Sequence, residues 1–170
     1  PVAMDQYYQF IQKVADIQTS DKNECLQITD APGGEMNVRI SKISKDGKLE
    51  EELMNKTYDP ALTKEIRLYV RNGNDSIVLN NKGSKIKLRI IGGNDKKAYN
   101  IIASMNKVNI YDKQNGSAFW GNDSKVKRHI SNDSLNTAFV PVNLYNVWMP
   151  LTVIGLNLDD GFIIGAGFKY

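Results

Sequence analysis

Tyr7, Phe10, Ile11, Val14 and Ile17 or Gln18 recur at i, i+3, i+4 and i+7 spacing, with Gln9, Gln12, Lys13 and Asp16 on the opposite side. That period predicts an amphipathic helix, and Asp5 is placed to cap its start. The helical period then stops. Leu26 and Ile28 alternate with polar residues, Asp30-Ala31-Pro32-Gly33-Gly34 supplies turn chemistry, and Met36, Val38 and Ile40 alternate again. A hairpin with a longish loop is the expectation. Lys45-Asp46-Gly47-Lys48 makes a further turn, and Asp59-Pro60 interrupts the poorly patterned stretch 49–62.

From Glu65 the pattern repeats itself. At an offset of 20 residues Ile66 meets Ile86, Leu68 meets Leu88 and Val70 meets Ile90. At the same offset Gly73-Asn74-Asp75 falls on Gly93-Asn94-Asp95, and Asn80 on Asn100. A weaker third copy places Val108 and Ile110 where Leu88 and Ile90 stood. Apolar alternation followed by the same glycine-containing turn is what stacked coils or repeated hairpins require. Gly73, Asn74, Asp75, Gly93, Asn94 and Asp95 are therefore assigned as structural turn residues. Glycine accepts positive φ, and Asn and Asp fold back onto nearby backbone amides.

Residues 114–138 are rich in Gly, Asn, Asp and Ser around Phe119 and Trp120, which predicts a polar loop or linker. Apolar character returns in 139–170. There Phe162, Ile164, Ala166, Phe168 and Tyr170 alternate with Gly165, Gly167 and Lys169, the pattern of one strand with one apolar face. The expected fold class is mainly β (α+β). Its parts are an N-terminal helix, a hairpin, stacked strands resembling a short β-roll or solenoid, and a C-terminal barrel-like strand. The expected division is 1–113 (helix plus stacked strands), 114–138 (linker) and 139–170 (strands leading toward a barrel).

Composition narrows the chemistry. With 41% hydrophobic and 24% charged residues the chain falls among globular sequences. A net charge of +3 is too small to argue for nucleic acid, and the cluster Lys125, Lys127, Arg128 and His129 reads as a solvated loop, so no nucleic-acid partner is expected. No run approaches the roughly 18 apolar residues of a membrane helix. The chain starts at Pro1 rather than Met, which reads as a piece of a longer protein. One cysteine, Cys25, allows no intrachain disulfide, and one histidine, His129, builds no histidine-rich metal site. Cys25–His129 is conceivable as a nucleophile and base, but no Gly-x-Ser-x-Gly elbow, phosphate loop or zinc spacing accompanies it. No catalytic, cofactor-binding or metal-ligating residue is assigned, and no cofactor is expected. Calcium enters only as an alternative, because Gly92-Gly93-Asn94-Asp95 begins like a calcium-binding β-roll motif before Lys96 and Lys97 add positive charge.

A series of short motifs runs in order along the chain. It consists of Ser20-Asp21-Lys22-Asn23-Glu24, Thr63-Lys64-Glu65-Ile66-Arg67-Leu68-Tyr69, Gly73-Asn74-Asp75, Arg89-Ile90-Ile91-Gly92-Gly93, Val108-Asn109-Ile110-Tyr111-Asp112 and Asp159-Asp160-Gly161-Phe162-Ile163-Ile164-Gly165-Ala166-Gly167. This series resembles the region just upstream of the barrel in large Gram-negative outer-membrane proteins of the BamA/TamA type. Several of those also carry an N-terminal calcineurin-like metallophosphoesterase domain. The resemblance implies a non-catalytic periplasmic or membrane-proximal connector leading into a first barrel strand. It also implies residence in the Gram-negative cell envelope, periplasm or outer membrane. The implied partners are cell-envelope proteins or the protein's own barrel domain, with the membrane met through the C-terminal region. The alternatives are a soluble calcium-binding β-roll module and an accessory domain of a metallophosphoesterase.

Overall fold

Alternating apolar positions build strands that stack coil upon coil in two sheets. The computed structural model describes residues 11–114, 116–122, 124–141, 149–157 and 161–169. The chain passes from β1 (Val14–Gln18) to β2 (Glu24–Ala31), and after an insertion from β5 (Glu65–Tyr69) to β6 (Asp75–Asn81). It continues from β7 (Lys87–Ile91) to β8 (Lys97–Ser104), from β9 (Val108–Asp112) to β10 (Ser117–Gly121), and ends the stack with β11 (Val126–Ile130). The first strand of each coil joins a sheet ordered β1-β5-β7-β9-β11, and the second joins a sheet that runs β10-β8-β6-β2. All of these pairings are parallel. The insertion is the hairpin of β3 (Glu35–Ile43) and β4 (Leu49–Tyr58), which extends the second sheet antiparallel beyond β2.

Ile66 and Leu68, and in the facing sheet Ile77 and Leu79, have no exposed surface. Met36 and Val38 carry the same enclosed core into the insertion. Such burial contributes roughly 1.5–3 kcal/mol for each large apolar side chain. The hairpin read from residues 26–40 is present, closed by a 3-10 turn at Pro32–Gly34 with Gly33 and Gly34 both at positive φ. The stretch 49–62, which has little pattern of its own, supplies β4.

Three expectations are corrected. Of the expected N-terminal helix, Val14 to Ile17 lie in strand β1, Ile11 to Lys13 precede it, and residues 1–10 lie outside the described residues. Ile17 satisfies either period, but β1 pairs along its whole length with β5, and that burial outweighs a marginal helical preference. The coil repeat is also longer than 20 residues at its first step. Glu65 pairs with Lys87, so Ile66 sits on Leu88 and Leu68 on Ile90. An error of two residues leaves every side chain on the correct face, because strand periodicity is two. Finally, 114–138 is not an unstructured linker, since it contains β10 and β11 and so completes both sheets. Short strands of five residues at the end of a stack need little apolar sequence, because only one side of each is covered.

The chain divides into two units, residues 1–140 and 141–170. The second contains β12 (Met149–Asn157) and β13 (Gly161–Lys169), paired antiparallel. The expected single C-terminal strand thus has a partner, while Tyr170 lies outside the described residues. The described residues form no closed barrel.

Candidate functional site

The six turn residues assigned from the sequence meet at the corner where each coil passes from one sheet to the other. Gly73 has φ of +109°, and a Cβ there would stand 2.4 Å from the carbonyl oxygen of Lys22. At Gly93 a Cβ would stand 2.1 Å from the carbonyl oxygen of Arg71. Neighbouring coils touch backbone to backbone at this corner, and a side chain does not fit. The polar turn residues bridge the coils instead. Gly73 N donates to Asp95 Oδ2 at 2.8 Å, Asn94 Nδ2 to Asn72 Oδ1 at 2.9 Å, and Lys96 N to Asn74 Oδ1 at 3.3 Å. Asp75 and Asp95 do not stack, since the register sets Asp75 beside Lys97. Asp75 points inward and is buried, whereas Asp95 is exposed.

Lys97 is the residue that sequence reasoning misplaced. Its ammonium is fully buried, 3.0 Å from Asp75 Oδ2, and donates to the carbonyl oxygen of Gly73 at 2.5 Å. Asp75 Oδ1 accepts from Glu24 N at 2.8 Å, and the Glu24 carboxylate accepts from Ser20 Oγ at 2.6 Å. Nearby, Tyr99 donates to Asp112 Oδ2 at 2.8 Å. Gly92 leaves the space for that carboxylate, because a Cβ there would come within 2.4 Å of it. Burial raises the Asp75 pKa to about 6, outweighing Lys97 and the Glu24 amide. It raises Asp112 as well, and lifts Tyr99 further, assisted by the adjacent Asp112 charge. A signal for Lys97 was available in the sequence, since it precedes Tyr99 and Ile101 at the spacing of inward positions. The cluster is sealed from solvent, so its direct effect is to join coils.

Cys25 and His129 belong to different sheets and are not brought together. The Cys25 thiol is buried, which pushes its pKa up. Of the basic cluster expected in a loop, Lys125 lies in the turn before β11, whereas Lys127, Arg128 and His129 lie on β11 and divide between its faces. Arg128 lies over the Phe119 ring at 4.1 Å, whereas His129 stacks on Tyr111 at 4.3 Å between centroids and 6° between planes. Among the described residues no three His, Cys, Asp or Glu side chains gather as a metal site.

The C-terminal hairpin carries a different surface. Residues paired directly across antiparallel strands share a face. Pro150 with Phe168, Thr152 with Ala166, Ile154 with Ile164 and Leu156 with Phe162 therefore form one nearly unbroken apolar face. The other face combines Leu151, Val153 and Ile163 with Gly155, Gly161, Gly165 and Gly167. Ile154, Leu156 and Ile164 are each more than 70% exposed. No family model matches the chain, and neither a curated protein nor a solved structure matches it. Function therefore rests on these surfaces and on the ordered motifs of the sequence.

Proposed function

We propose that the chain is a connector in a cell-envelope protein, in which a stacked-coil domain precedes the first hairpin of a membrane β-barrel. The exposed apolar face shared by β12 and β13 carries this reading. Each strand has nine residues, close to the roughly 9–11 of a tilted membrane strand. A face that is apolar but for Thr152, backed by a mixed face in which Gly155, Gly161, Gly165 and Gly167 stand among Leu151, Val153 and Ile163, fits a barrel wall whose first face meets lipid. Water is an unfavourable medium for such a hairpin. An isolated two-stranded sheet is marginal, and its free edges call for further strands. The motif series that resembles BamA/TamA-type proteins points the same way, ending in the residues of β13. In this role the coil domain acts as a rigid membrane-proximal body rather than as a catalyst.

Single-cysteine scanning of 161–169 tests the proposal, in a Cys25→Ala background and in membranes containing the longest natural chain with this segment. Positions 162, 164, 166 and 168 should react with a lipid-soluble maleimide and resist a membrane-impermeant one, alternating with their neighbours. Uniform labelling by the impermeant reagent at all nine positions would remove the barrel reading.

A further inference from the structure

The outer face of the β1-β5-β7-β9-β11 sheet concentrates cations in two columns. Glu65 pairs with Lys87, and the register one residue before Leu88–Val108 and Val108–Val126 sets Lys107 beside Lys87 and Lys125 beside Lys107. Two residues further along the strands a second column begins with Asp16 beside Arg67 and continues through Arg89, Asn109 and Lys127. Neighbouring strands lie about 4.8 Å apart, and like charges directly opposite each other are destabilising. The carboxylate of Glu65 is already shared, 3.0 Å from Arg67 Nε and 3.2 Å from Arg89 Nε. Lys125 Nζ is held by the carbonyl oxygen of Met105 at 2.8 Å. Lys85, Lys87 and Lys107 have no ion-pair partner among the described residues. Between the strand starts lies an open depression of about 450 Å³ lined by Lys85, Lys87, Arg89, Asn106, Lys107 and Asn109, with Glu65 at its side.

We propose that this depression is a binding site for a multivalent phosphate group. The chemistry follows from charge and shape. One carboxylate would neutralise one of the converging cations, whereas a di- or triphosphate brings several charges and many acceptor oxygens. Lysine ammoniums act as point charges on such oxygens, and the Arg89 guanidinium adds directed donors. The Asn109 side chain supplies a neutral contact within the second column. A phosphate bound here turns the repulsion within the Lys87–Lys107 column into shared attraction. The inference is independent of the barrel reading, because it concerns only the coil domain.

The test titrates the intact chain in mild detergent with tripolyphosphate by calorimetry, at low and moderate salt. Binding should weaken as salt rises, and the double variant Lys87→Gln/Lys107→Gln should lose affinity by about tenfold or more with a melting temperature equal to or above the parent's, because the repulsion within the column is relieved. The remote pair Lys45→Gln/Lys48→Gln should bind like the parent. A second arm distinguishes a lipid headgroup from a free phosphate. It compares phosphatidylcholine vesicles with and without phosphatidic acid, each with added tripolyphosphate as competitor. A gain from phosphatidic acid that is lost in the double variant and competed by tripolyphosphate supports the site with a lipid source. Tripolyphosphate binding without that gain supports it with a soluble source. No binding of either, or equal losses in the groove and remote variants, overturns the proposal.

Discussion

At the scale of single residues, the coil corner sets two measurable constraints. Gly93 has no room for a Cβ because the Arg71 carbonyl oxygen would lie 2.1 Å away, and that atom belongs to a backbone already held in a sheet. Gly93→Ala should lower stability by about 1–3 kcal/mol, read as a shift in urea midpoint. Gly47, in the β3–β4 turn, offers a control. It has φ of +77° but open space around it, so alanine there meets only the left-handed backbone cost of about 1–2 kcal/mol. The second constraint is the buried carboxylate of Asp75. Its pKa stands near 6 in the folded chain against an ordinary value of 3.8. The folded state therefore holds the proton more tightly than the unfolded state. That contribution to stability is complete below pH 4 and is lost as pH rises through 6. Between about pH 7.5 and pH 5 the parent should gain stability relative to Asp75→Asn, on the order of 1 kcal/mol. Chemical denaturation of both proteins at the two pH values measures this difference, and a constant gap would show that Asp75 does not titrate in this range.

Among the elements, legibility followed the amount of local information. The β2–β3 hairpin was readable because alternation and the Pro32-Gly33-Gly34 turn agree. The repeat from Glu65 was readable in its face but not in its partner, since 20 and 22 residues preserve the same alternation. Register was decided by contacts that strand parity does not report, among them the Gly73–Asp95 and Asn72–Asn94 bridges. Strand β1 was misread because Val14 and Ile17 suit a helical stripe as well as an edge strand, and only pairing with β5 decides between them. β10 and β11 were hidden by their polar residues, which the end of a stack tolerates. The central coils allow a direct test. Leu68 is fully buried on β5 and Leu88 nearly so on β7, both facing one core. Leu68→Ala and Leu88→Ala should each cost about 2–5 kcal/mol in urea or thermal unfolding, with Leu68 the larger because its site is the more enclosed.

For the whole molecule, the enclosed core and the C-terminal hairpin fall in different units. The enclosed apolar core runs from Ile17 to Ile110, all within the first unit. On the proposed membrane role, deleting residues 141–170 should leave the urea midpoint of the remaining chain unchanged within error, and the truncated chain should stay monomeric without detergent where the parent does not. A truncated chain that fails to fold would place the hairpin in the core and count against a membrane role. The amino-acid sequence by itself determined the class of structure, because period-two alternation and glycine-bearing turns admit strands and little else over residues 24–43 and 65–112. It also determined the apolar face of β13, which depends only on which residues alternate. Tertiary structure decided what no local pattern carries. It set which coil lies on which, drew Lys97 from a turn into a buried pair with Asp75, recruited β1 into a sheet, and lined up Lys87 with Lys107. Each of these is a relation between residues about 20 or more positions apart, and such relations are settled by packing and register across strands rather than by the preferences of any one segment.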